Sequence, residues 1–158
     1  IILGVTANRL PLLVPLDDAR PGVVATVTVA GELALLVQVA VRSAAAGFHV
    51  AVLTERPGKW HEVASSGLNV YTALPSESLG DARTTMVVYD HHTQSSAEPE
   101  VAVIVRAVER GTASVADVHL EQDSNTTAVI RTNDFRYRVH IDVQAERNLV
   151  AAARRRVA

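Results

Sequence analysis

Asp90, His91 and His92 stand consecutively in a chain that has no cysteine and six histidines. A carboxylate beside two imidazoles is a donor set for a divalent ion such as zinc or manganese. Such an ion would lower the pKa of a bound water and so supply a hydrolytic nucleophile. The apolar run 84–89 precedes the triplet, which places it at the carboxyl end of a strand, where open α/β sheets hold ligands. A two-metal site needs a second acidic cluster, and the paired acids Asp17 and Asp18 do not supply its pattern. A polar surface loop, continued by the Ser/Gln/Glu-rich stretch 93–99, fits the same residues.

A second constellation comes from alternation. In 115–121, Val115, Asp117, His119 and Glu121 alternate with Ala116, Val118 and Leu120. In 135–143, Phe135, Tyr137, Val139, Ile141 and Val143 face one way, and Arg136, Arg138, His140 and Asp142 the other. His119, His140 and Asp142, flanked by Arg136 and Arg138, could form a general acid/base group. The commoner reading is a solvated sheet face. A third is protein docking through Arg136, Arg138 and His140, since arginine is enriched in interfaces.

Gly31 is the position for a phosphate-binding turn, with Glu55 as the acid some twenty residues on. The other positions of that fingerprint are not glycine, so a plain tight turn accounts for Gly31. Arg154, Arg155 and Arg156 close the last helical segment. They suit the negative end of a helix dipole, or contact with an anionic membrane surface or acidic partner. No Gly-x-Ser-x-Gly elbow and no Walker-type loop occurs.

The elements that must position these residues follow from periodicity. A β-branched run 23–29, Ala30-Gly31, an apolar helical segment 32–46, a stop at Gly47 and a second apolar run 50–53 make a βαβ unit. Glu32, Gln38, Arg42 and Ser43 share one side of the helix, and the rest is apolar, so most of its surface is to be covered. Pro57 opens a short helix with Trp60, Val63 and Ala64 inward. Strands follow over 68–74, 84–89 and 101–105, and 75–83 is a polar connection. Strands over 115–121, 127–132 and 135–143 form an antiparallel meander, turning at Asn133-Asp134. A helix over 144–157 closes the chain. The segment 10–16, with two prolines, is an edge strand or extended arm. The expected fold is one α/β domain: a mostly parallel N-terminal sheet with crossover helices, then an antiparallel meander and a C-terminal helix.

The chain of 158 residues is 48% hydrophobic and 20% charged, which suits one globular domain with its own core. A net charge of −2 gives no electrostatic case for nucleic acid. No stretch reaches the roughly 20 apolar residues of a spanning helix. The chain opens on Ile1 rather than methionine, and the expectation is a fragment of a longer, membrane-anchored protein.

Two resemblances bear on function. Asp90-His91-His92 resembles the name-giving motif of the DHH phosphoesterases, which also require an earlier His and Asp-x-Asp cluster. More of the chain resembles the cytoplasmic domain of EccE, a core membrane component of actinobacterial type VII (ESX) secretion systems. That resemblance rests on residues 9–13 (RLPLL), 27–29 (VTV) ahead of Gly31, Val41-Arg42 through Gly47, and 52–60 (VLTERPGKW). It continues through 84–90 (TTMVVYD), 116–123 (ADVHLEQD) and 136–140 (RYRVH). It implies two transmembrane helices ahead of Ile1 and a glycosyltransferase-like α/β domain without catalysis or cofactor. It further implies a place at the cytoplasmic face of the bacterial inner membrane, among other membrane components of the complex. The function expected is a non-enzymatic structural subunit. The alternative is a metal-dependent phosphoesterase or nucleotide-sugar enzyme using Asp90, His91 and His92.

Overall fold

A computed structural model of the chain describes residues 2–5, 11–13, 24–75, 79–91 and 100–157. Its strands join one sheet. They are β1 (Ile2–Val5), β2 (Pro11–Leu13), β3 (Ala25–Ala30), β4 (His49–Thr54), β5 (Leu68–Tyr71), β6 (Thr85–Asp90), β7 (Val103–Val108), β8 (Val118–Gln122), β9 (Thr127–Thr132) and β10 (Arg136–His140). The helices are α1 (Leu33–Ala45), α2 (His61–Ala64), entered through a 3-10 turn at Pro57–Trp60, and α3 (Gln144–Val157). The order across the sheet is β2-β1-β10-β9-β8-β3-β7-β6-β4-β5. From β8 to β5 neighbouring strands run parallel, and from β8 to β2 they run antiparallel. The chain is therefore an α/β fold of a parallel sheet, an antiparallel meander and a C-terminal helix, as the periodicities predict.

Side-chain parity divides the two faces. Val27, Val29, Val50, Val52, Met86, Val88, Leu120, Ile130 and Val139 join the residues of α1, α2 and the 3-10 turn in one core. Ala51, Leu53, Val87, Tyr89 and Ile104 point the other way, under Tyr71, Leu74, Leu79 and Val101. Helices thus cover the first face and connecting segments the second. The chain crosses by α1 on the first face when it travels from β3 to β4. It crosses on the second face when it travels back from β5 to β6, so both crossings keep one hand.

α1 ends where the sequence says it must. Gly47 has φ +107°, a region that costs a side chain. There the amides of Gly47 and Phe48 bond to the carbonyls of Ala44 and Ser43, each at 3.1 Å. These two bonds cap the last carbonyls in a Schellman motif. The polar stripe of α1 is a surprise. Gln38 is 1% exposed and Ser43 is fully buried. Gln38 Nε2 donates to the Asp142 carbonyl at 2.5 Å, and Glu32 pairs with Arg147 of α3. Glu32 and Gln38 thus meet α3 and the residues that lead into it, while Ser43 Oγ donates back to the Val39 carbonyl of α1 at 2.7 Å.

The remaining differences are local. β5 stops at Tyr71 and β6 runs through Asp90. β7 and β8 lie a few residues later than the apolar runs suggest. Within segment 10–16, Pro11–Leu13 is the edge strand β2. Residues 10 and 14–16 lie outside the described residues.

Candidate functional site

A doubly wound sheet offers a ligand the crevice where adjacent strands send their connections to opposite faces. Here that crevice lies between β4 and β6. The chain leaves β4 toward the helical face, where Trp60 is buried. It returns from β6 to the other face, where Val101 is buried. Thr54 and Asp90, the last residues of these strands, are direct parallel neighbours.

The crevice is filled from within. The Asp90 side chain has no exposure. Arg56 donates from Nη2 to Oδ1 at 2.7 Å and from Nε to Oδ2 at 2.9 Å. Trp60 Nε1 donates to Oδ2 at 3.0 Å, and Thr54 Oγ1 at 2.9 Å. Burial, the largest single effect on the Asp90 carboxyl, raises its pKa. The bonds from Arg56 and Trp60, the Arg56 charge and the Thr54 bond together outweigh burial, and the net shift is downward. The group is a structural carboxylate with its lone pairs committed.

That geometry bears on the ligand set expected at Asp90, His91 and His92. Asp90 turns inward, whereas His91 is exposed with φ +50°. The two side chains do not converge, because the carboxylate is held under the 3-10 turn. His92 lies outside the described residues, as do Asp17 and Asp18. Among the described residues no three His, Asp or Glu side chains gather as a metal would need. Trp60 and Arg56 as the partners of Asp90 were not legible from residue types. The signal was present only as a polar residue ending each of two apolar strands.

The second carboxyl-edge position is the turn at Gly31. A Cβ there would stand 2.8 Å from Gln122 Cβ and Oε1, so the turn closes against β8 only as glycine. Gln122 Oε1 accepts from the Glu32 amide at 3.0 Å, and Gln122 Nε2 donates to Glu32 Oε2 at 2.8 Å. Arg147 completes the group, with Nε 2.5 Å from Glu32 Oε1. The Arg147 bond, more than burial opposes it, holds the Glu32 carboxyl below its usual value, with Gln122 assisting. A helix N-terminus normally attracts anions. This one already carries the Glu32 carboxylate at its N-cap, and the Gln122 side-chain oxygen accepts from the N-cap N–H. Glu55 is exposed and lies at the end of β4, away from this turn.

On the face opposite the helices, the segment 109–117 folds across β3, β8 and β9. Asp117 Oδ2 accepts from the Thr26 amide at 2.9 Å, and Glu121 Oε1 from the Gly111 amide at 2.7 Å. Thr28 Oγ1 lies 2.6 Å from His119 Nδ1 and 2.7 Å from Ser114 Oγ. Arg131 Nη2 donates to the Ser114 carbonyl at 2.8 Å. His119 is accordingly only 7% exposed. Burial foremost lowers its pKa; the Glu121 charge pulls upward and the Arg131 charge adds to the lowering. A hydroxyl on an imidazole is half of a nucleophilic arrangement, and the other half is an acid on the far nitrogen. Glu121 and Asp117 are turned to the backbone amides of Gly111 and Thr26 instead.

The acid/base group expected of His119, His140 and Asp142 is not assembled. His119 pairs with Arg131, which pairs with Arg136, whereas His140 pairs with Thr127. Two strands and four residues separate the imidazoles, about 16 Å. Asp142 Oδ1 caps the Gln144 amide at 3.1 Å. Arg136, Arg138 and His140 are exposed on one face, with Arg138 held 2.9 Å from Asp123 Oδ2. Arg154, Arg155 and Arg156 lie in α3, and their side chains fall outside the described residues. Compared with protein-family models, curated proteins and solved structures, the chain matches none.

Proposed function

We propose that this chain is a non-enzymatic structural subunit of a bacterial membrane protein-secretion complex of the type VII class. It acts by protein–protein docking at the cytoplasmic face of the inner membrane. The observation that carries this reading is the Arg56–Asp90–Trp60 cluster. It occupies, with the protein's own side chains, the crevice in which such a sheet would hold a substrate. The Gly31 turn adds to it, since Gln122 and Glu32 stand where a phosphate would bind. The resemblance of the quoted segments to the EccE cytoplasmic domain supplies the class of complex. The exposed cationic row on β10 supplies a surface to dock with. Arg154, Arg155 and Arg156 would add contact with an anionic membrane surface.

The test is made in a host that carries a type VII system. The natural gene product is tagged, crosslinked in cells and purified from membranes. The expected result is co-purification with the system's other core membrane components, and loss of substrate export when the gene is deleted. Recovery of the protein alone, with export intact in the deletion, refutes the reading.

A further inference from the structure

The meander face opposite the helices carries an arrangement that the fold alone does not require. Arg131 of β9 and Arg136 of β10 are direct cross-strand neighbours. The Thr132 amide bonds to the Phe135 carbonyl at 2.9 Å across the hairpin turn. The next pair, Arg131 with Arg136, is therefore a non-hydrogen-bonded one, with Cα atoms about 4.5 Å apart. Both side chains are exposed. Like charges so placed destabilise a sheet, and neither arginine has an acidic partner among the described residues. Three of the nearby acids are engaged, Asp123 with Arg138, Glu121 with the Gly111 amide and Asp117 with Thr26, and the exposed Asp134 of the hairpin turn forms no ion pair with either arginine among the described residues.

The neighbouring segment is pinned beside this pair by Arg131 itself, through the Ser114 carbonyl. The next residue, Val115, is the most exposed large apolar side chain described, at 105%. Val115 thus adds exposed apolar surface next to the residue that Arg131 holds, and arginine is itself enriched among the residues that carry interface energy.

We propose that Arg131, Arg136 and Val115 form a docking site for an acidic segment of a partner protein. The inference rests on the docking reading above and names its partner chemistry. A carboxylate between the two guanidiniums relieves their repulsion, and an apolar side chain of the partner covers Val115. The acids around the site decide against a polyanion or a bilayer. Asp117 and Glu121 stand two residues either side of His119, the cross-strand neighbour of Arg131, and Asp123 two further on, so an extended negative surface would meet repulsion beside the pair. A discrete carboxylate would not. The site thus runs across the strands, from the segment before β8 to β10, and extends the β10 row at Arg136.

The test uses the full natural chain in its membrane complex. A photoreactive benzoylphenylalanine replaces Val115 in one variant and Tyr137, exposed on the opposite face, in another. The expected crosslink from position 115 is to a peptide of net negative charge in a complex component, with none from position 137. Arg136→Glu should melt no lower than the wild type, since it sets an opposite charge across from Arg131, yet recover at least roughly tenfold less complex, because it meets the partner's carboxylate with like charge. Wild-type recovery by Arg136→Glu, or a basic peptide crosslinked at position 115, overturns the inference while the docking reading stands. Failure of the wild-type chain to co-purify overturns both. Binding of the purified chain to phosphatidylglycerol vesicles but not phosphatidylcholine vesicles, lost in Arg136→Glu, assigns the site to membrane and overturns it as well.

Discussion

Removing Arg56 tests whether the switch-point crevice is held by a buried charge pair. In Arg56→Ala the Asp90 carboxylate keeps its bonds from Trp60 and Thr54 but loses both guanidinium bonds. Breaking a buried pair from one side costs about 3–5 kcal/mol. The Arg56 side chain is 37% exposed, so solvent already screens part of the interaction and the lower end, about 3 kcal/mol, applies. For a chain of this length that is a fall in melting temperature of roughly 6–12 °C. Asp90→Asn should cost less, because Arg56 left alone reaches water. Arg56→Ala with Asp90→Asn should therefore be more stable than Arg56→Ala by itself. The pH dependence has a definite sign. In the wild type the folded pKa of Asp90 lies below its ordinary 3.8. Its contribution is then complete above that ordinary value and is lost as pH falls through the folded one. In Arg56→Ala only the Trp60 and Thr54 bonds oppose burial, so the carboxyl pKa rises relative to the wild type and the variant's deficit shrinks on acidification. Urea denaturation of the four proteins from pH 3 to pH 7 reads these differences. A deficit under about 1 kcal/mol at pH 7, or a double variant no better than Arg56→Ala, would refute the reasoning.

Three further outcomes are expected. Gly31→Ala forces a methyl to within 2.8 Å of Gln122, and should cost about 1–3 kcal/mol, seen as a lower urea midpoint at unchanged slope. Leu36, 2% exposed in the main core, should not tolerate Asp, because an unpaired buried charge costs several kcal/mol; a soluble, cooperatively melting Leu36→Asp protein would show that α1 is not core. His119 has a folded pKa below its ordinary 6.5, so the unfolded chain binds more protons and stability declines as pH falls below that value. Denaturation of wild type and His119→Gln between pH 8 and pH 5 should show a slope in the first that the second lacks; equal slopes would mean the imidazole is not buried neutral.

Sequence alone determined most of the elements, although β1 (Ile2–Val5), which joins β2 to the meander, was not among those it showed. β-branched runs, the Ala30-Gly31 turn, the apolar segment before Gly47 and the period-2 stretch ending at Val143 each carry their own periodicity, and local sterics read it without tertiary help. It also determined the parity of the meander, since Val139 is fully buried and Arg136, Arg138 and His140 are exposed. What each polar residue does was decided only by tertiary structure. Asp90 and His91 are adjacent in the chain, yet one faces Trp60 and the other solvent, because a strand end turns successive side chains apart. Glu32 and Arg147 are distant in the chain and meet at 2.5 Å because α3 returns across α1. The pairing of Arg131 with Arg136 depends on the hairpin register, and the burial of His119 on a segment folded over its face. Periodicity assigns a residue to a face; only the strand order and the crossovers assign it a partner.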